Sequence, residues 1–212
     1  NAAATPDHQP LAVPAANHPL FTTMQIRELG RSGLKTSPLA LGGNVFGWTA
    51  DEARSFEVLD AFVAAGGNCI DTADAYSAWV PGHKGGESES MIGEWLKASG
   101  KRDDVLIATK VGMPVGPGPN DRGLSRKHIF AAVDASLRRL KTDYIDLYQL
   151  HNPDPETPIE ETLSAMADVV RAGKARYIGA SNYASWELAL ANRAMHTDHS
   201  MRIATTQMEY NL

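Results

Sequence analysis

One cysteine, Cys69, stands in 212 residues, so the chain can form no internal disulfide and offers no cysteine cluster to a metal. Cys69 falls within a strand-like run, where a buried, inert thiol is expected. Positive charge is also short: 20 Lys and Arg face 25 Asp and Glu, a net charge of −5. Nucleic acid is therefore not expected as a main partner, because phosphate backbones are gripped by clustered Lys and Arg. An anionic cofactor needs only a local positive site and stays open. No apolar stretch approaches the roughly 18 residues of a membrane span, so no membrane partner is expected. A secretory signal, with its basic start and unbroken apolar run, is absent as well; the first basic residue is Arg27. Residues 1–23, rich in Ala, Pro and His, read as a disordered extension or added leader, with Met24 as the native start and the cytoplasm as the expected compartment. Three motifs are missing too. There is no G-x-x-x-x-G-K-[ST] phosphate loop, no Gly-x-Ser-x-Gly elbow of a hydrolase, and no second well-spaced histidine to build a metal site with His151.

What is present is ordinary globular composition, 43% hydrophobic and 21% charged, arranged in alternating segments. A hairpin is predicted over Met24–Leu29 and Leu34–Thr36, followed by a short apolar strand at Leu39–Leu41. Helical spacing then predicts Asp51–Ala65, Glu87–Ser99, a helix capped by Ser125, a helix opened by the capping-box pair Thr157 and Glu160 around Pro158 and running to Gly173, and Ser185–Met195. Between them lie strands at Asn68–Thr72, Val105–Thr109, Tyr144–Leu150, Ala175–Ala180 and Ile203–Met208. Strict alternation of this kind implies right-handed βαβ units and a parallel sheet, either a (β/α)8 barrel or an open doubly wound sheet. The second usually carries G-x-G-x-x-G after its first strand, and Leu41-Gly42-Gly43-Asn44-Val45-Phe46-Gly47 lacks that spacing.

The residues that end each strand favour the barrel. In order they are Asp71, Lys110, His151, Ser181-Asn182 and Gln207, spaced 26 to 41 residues apart. In a parallel barrel all C-terminal strand ends share one rim, so these groups would converge there. Any one of them alone reads equally well as a cap or turn residue; the succession of five does not.

Asp71-Thr72-Ala73-Asp74-Ala75-Tyr76, Lys110 closing Ala108-Thr109-Lys110, and Leu147-Tyr148-Gln149-Leu150-His151 resemble the signatures of the aldo-keto reductase family. Ser181-Asn182-Tyr183 and Gln207-Met208-Glu209-Tyr210-Asn211 resemble its later strands, and the likeness runs from about Arg27 to Leu212. The glycine-rich loop and the Lys110–Ser125 loop look most like the bacterial branch related to potassium-channel β subunits. The resemblance implies an α/β fold, a (β/α)8 TIM barrel with its first six strands present here, as one domain over residues 24–212. It implies NADP(H)-dependent reduction of a small aldehyde or ketone. Asp71, Tyr76, Lys110 and His151 would be catalytic; Gly43, Asn44, Ser181, Asn182 and Gln207 would bind cofactor; no metal is called for.

The residue types suit such chemistry. Reduction of a carbonyl needs a hydride and a proton for the developing alkoxide. Free tyrosine titrates near about 10, and an ammonium beside a phenol favours the phenolate. Lys110 supplies that ammonium, Asp71 its counter-charge, Tyr76 the proton, and His151 a hydrogen bond to the carbonyl oxygen. By the resemblance, Ser181, Asn182 and Gln207 hold a nicotinamide carboxamide. Trp48, Trp79 and His83 lie on early loops at the expected mouth, as substrate contacts or as packing. Two further βα units would complete the family pattern after Leu212, and with them the grip on the adenosine 2′-phosphate, so more chain is expected to be required. A different class of function on the same scaffold is a nucleotide-sensing regulatory subunit with little turnover.

Overall fold

A computed structural model describes residues 24–198 and 201–211; the leader expected over residues 1–23 lies outside them. A two-residue hairpin comes first, β1 (Arg27–Glu28) against β2 (Lys35–Thr36). Six parallel strands follow: β3 (Ala40–Gly42), β4 (Cys69–Asp71), β5 (Leu106–Val111), β6 (Ile145–Leu150), β7 (Ala175–Ser181) and β8 (Ile203–Gln207). They pair in sequence order, β3-β4-β5-β6-β7-β8, as a curled half-barrel. Each crossover carries a helix: α1 (Glu52–Ala64), α2 (Glu87–Ser99), α3 (Arg126–Leu140), α4 (Ile159–Arg171) and α5 (Ser185–Asp198). This is a partial (β/α)8 barrel, as the strand-end pattern requires.

Burial follows position in the sheet. All six residues of β6 are buried, because a central strand faces helices on one side and the barrel interior on the other. β3 and β8 at the two edges are at most half-buried. The core between strands and helices is built from Leu59, Ile92, Trp95, Ile129, Leu140 and Met166, among others. α2 and α3 approach so closely that a Cβ on Gly93 would lie 2.0 Å from the Arg139 carbonyl oxygen; only glycine permits that spacing.

Side-chain caps set two of the helix starts. Asp51 accepts from the Arg54 N–H at α1, and Ser125 from the His128 N–H at α3. At α4 the expected capping box does not form. Pro158, not Thr157, is the N-cap, and the Thr157 hydroxyl donates instead to Asp154 Oδ2 at 2.7 Å. Asp154 also accepts from the Leu124 N–H, so it ties together the loops after β5 and β6 and outcompetes the cap for Thr157.

The hairpin lies across the N-terminal ends of the strands. Ser37 N–H donates to Asn68 Oδ1 just before β4, and Gly30 abuts the Ala204 carbonyl near the start of β8. The opposite, C-terminal rim is left to the polar strand ends.

Candidate active site

Strand alternation turns Asp71, Lys110 and Gln149 into the barrel interior, with pairing that aligns their strands side by side. Lys110 is 2% exposed. A buried ammonium needs all three of its protons accepted, and here they are. Nζ donates to Asp71 Oδ2 at 2.7 Å, to the Thr72 carbonyl at 2.9 Å and to Tyr76 Oη at 3.0 Å. The ammonium also lies 4.8 Å from the centre of the Tyr76 ring. Tyr76 reaches this point because the chain turns directly after β4: the Thr72 N–H bonds to the Ala108 carbonyl, the Asp74 N–H to that of Lys110 and the Tyr76 N–H to that of Ala73.

His151 follows β6, held by its N–H to the Val111 carbonyl. Its ring stands edge-on to Tyr76, centroids 6.0 Å apart. Burial first, and the Lys110 charge second, hold the imidazole down at about 4, so it is neutral at physiological pH. Nδ1 is buried and has no hydrogen-bond partner within the protein.

Of the other expected residues, Asn182 adopts left-handed backbone with φ of 61° and donates through Nδ2 to the His151 carbonyl and to Ser181 Oγ. Gln207 donates to Asp71 Oδ2 at 3.3 Å and accepts from Gln149 at 3.2 Å. Gly43 is packed behind the rim. Its N–H bonds to the Asp71 carbonyl and its own carbonyl accepts from Ser88, while Asn44 lies exposed in the turn beyond. Five strand ends thus converge on one rim.

Gln149 escaped the sequence reading as a site residue. Its amide donates to Asp71 Oδ1 at 3.4 Å, giving the carboxylate a third side-chain neighbour after Lys110 and Gln207. The signal was an amide inside the otherwise apolar Leu147–Leu150 run, in register with Lys110. Trp79 packs edge-on against Tyr76 at 6.1 Å, and Trp48 packs in turn against Trp79 at 5.7 Å, so an exposed aromatic pair extends from the phenol. Cys69 is buried, and burial raises its thiol to about 11, in keeping with an inert role. Among the described residues, no group of His, Cys, Asp and Glu could hold a metal ion, and no helix is long and apolar enough to cross a membrane.

Half-barrel and rim together define a protein of the (β/α)8-barrel class with a lysine-centred polar site at its strand ends. The family model for the aldo/keto reductase family matches residues 38–212, and the chain belongs to that family. It is 41% identical over 194 residues to the uncharacterized oxidoreductase YrpG of Bacillus subtilis, covering 89% of this chain and 59% of that protein. It is 43% identical over 185 residues to the aldo-keto reductase YhdN of Bacillus subtilis, covering 87% of this chain and 51% of that protein. A probable voltage-gated potassium channel subunit beta of Arabidopsis thaliana is 39% identical over 191 residues, covering 89% of this chain and 56% of its own length. The chain therefore spans little more than half the length of these relatives.

Proposed function

We propose that this rim belongs to an NADP(H)-dependent carbonyl reductase in which Tyr76 is the general acid for a small aldehyde or ketone. The observation that carries the reading is the convergence of Lys110 Nζ on Asp71 and Tyr76 at 2.7 and 3.0 Å in a buried setting. When bound, the cofactor supplies the hydride. The rest falls to the chain's own residues. Lys110 donates to the Tyr76 oxygen, which stabilises negative charge there as the phenol gives up its proton to the substrate oxygen. Asp71 balances the ammonium and, with the Thr72 carbonyl, keeps it from swinging away. Neutral His151 serves as a hydrogen-bonding group rather than a cation and orients the carbonyl beside Tyr76.

Ser181, Asn182 and Gln207 fit a cofactor's carboxamide: two amides and a hydroxyl cluster at neighbouring strand ends, and Asn182 and Gln207 are exposed. Gln207 would exchange its contact with Asp71 for such a ligand. Gly43 would serve by its lack of a side chain, since a Cβ there would strike Ser88 Oγ at 2.9 Å. Asn44, like Asn182 and Gln207, is exposed and open to a ligand.

The test is NADPH consumption with a panel of aldehydes and ketones, run beside Tyr76→Phe. Turnover by the wild type that falls by about a hundredfold or more in the variant, with NADPH affinity retained, is the expected result. A variant that matches the wild-type rate refutes the role given to Tyr76. The likeness to a potassium channel β subunit supports a second reading, a nucleotide sensor on the same scaffold. Tight NADPH binding with negligible turnover across the panel would select it.

A further inference from the structure

Directly behind the proposed site, on the helix side of the same strands, lies a second polar cluster that the chemistry above does not use. Alternation sends Thr72, Thr109 and Tyr148 outward while their neighbours Asp71, Lys110 and Gln149 face the interior. Thr72 Oγ1 meets Ser88 Oγ at 2.8 Å, and Thr109 Oγ1 donates to Glu89 Oε1 at 2.5 Å. Glu89, fully buried, takes Arg139 Nε on its other oxygen at 2.6 Å. Asp74, 1% exposed, shares this layer, yet neither of its oxygens meets a donor with hydrogen-bond geometry. The Tyr148 hydroxyl is equally buried and equally unpartnered.

The charges do not balance if every group is ionised. Two carboxyl groups stand around a single guanidinium, and Glu89 already engages it. An ionised carboxylate with no donor, enclosed beside another carboxylate, is strongly disfavoured. Burial and then the Glu89 charge push the Asp74 carboxyl well above its ordinary range, against weaker pulls from Arg139, the Ala75 N–H and Lys110. Burial likewise pushes the Tyr148 phenol well above its ordinary range, so it too stays protonated.

The backbone of Asp74 links this layer to the site. Its N–H donates to the Lys110 carbonyl at 3.2 Å, two residues before Tyr76, and the Thr72 carbonyl accepts from Lys110 Nζ. We propose that Asp74 is held as a neutral carboxylic acid beside the Glu89–Arg139 pair, and that this buried cluster is a positioning element that fixes the Thr72–Tyr76 turn against the strand carrying Lys110. The positioning role rests on the reductase reading of Tyr76 and Lys110; the protonation state does not.

Two variants separate the parts. Asp74→Asn preserves size and neutrality. Glu89→Gln removes the ionised partner and leaves Asp74 as the carboxyl available to neutralise Arg139. Infrared spectra at neutral pH should show a protonated-acid carbonyl band in the wild type that disappears in both variants. With ring-13C tyrosine, the Tyr76 resonance, assigned against Tyr76→Phe, should stay in place in Asp74→Asn and move in Glu89→Gln. Turnover should remain near wild type in the first and fall by about tenfold or more in the second, with the KM for NADPH unchanged. A band that persists in Asp74→Asn overturns the neutral acid. A Tyr76 resonance and a kcat both unmoved in folded Glu89→Gln overturn the positioning role. Should Glu89→Gln fail to fold, Thr109→Val cuts the same link, and an unmoved Tyr76 resonance there is equally decisive. If the wild type shows no turnover, the reductase reading fails, while the band and the tyrosine resonance still decide the cluster's state and its grip on Tyr76.

Discussion

Lys110→Met removes the ammonium at the centre of the rim while keeping most of its apolar stem. The Asp71 side chain, 11% exposed, is then left in the barrel interior with only the amides of Gln149 and Gln207, at 3.4 and 3.3 Å, as neighbours. Removing one partner of a buried ion pair costs about 3–5 kcal/mol, because the remaining charge has lost both its solvent and its counter-ion. For a chain of this size that corresponds to a fall in Tm of about 10 °C. Neutralising the survivor should reverse most of it: the double variant Asp71→Asn with Lys110→Met is expected within about 1 kcal/mol of wild type. Urea denaturation and thermal melts of the wild type, both single variants and the double variant complete the cycle. If Lys110→Met unfolds within about 1 kcal/mol of wild type, the pair is not desolvated as described. If the double variant is as unstable as the two losses summed, the damage is to packing and the charge argument fails. The double variant also separates stability from chemistry, since it should be folded yet without turnover.

Three further outcomes are expected. His151, lowered from 6.5 to about 4 mainly by burial, favours the native state while neutral, so its contribution is complete above about pH 6.5 and is lost as the pH falls toward 4. With solvent reaching part of the ring, the loss should amount to about 1–2 kcal/mol, visible as a steeper acid decline for wild type than for His151→Gln; superimposable profiles would exclude it. Gly93→Ala places a Cβ 2.0 Å from the Arg139 carbonyl and 2.9 Å from Leu140 Cα, both backbone, so α2 and α3 must separate. A loss of about 1–3 kcal/mol in denaturant is expected, and an unchanged midpoint would mean that the helices sit farther apart. Cys69, buried with its thiol raised to about 11, should react with disulfide reagents only as fast as the protein unfolds; rapid labelling of the native protein at neutral pH would contradict its burial.

The alternation of apolar runs with helical periods carried the architecture, because strand and helix periods are local properties of the chain. The placement of Asp71, Lys110, Ser181 and Gln207 on one rim followed from the same reading, since every parallel strand ends on the same side. His151 followed in the same way as a strand end, and Tyr76 was reached through its spacing from Asp71 in the motif that carries the family resemblance. Tertiary packing decided the rest. Thr157 gave up its capping role because Asp154, committed to the Leu124 loop, offered its hydroxyl a better acceptor. Gln149 became a neighbour of Asp71 only when β4, β5 and β6 came into register, which no local feature of the chain specifies. Asp71 and Asp74, three residues apart in one motif, illustrate the division most directly. Their sequence contexts are nearly alike, yet one meets the Lys110 ammonium and the other lies in an enclosed layer beside Glu89. Residue type and spacing are written along the chain, but the charge a carboxyl carries depends on which groups the fold encloses with it.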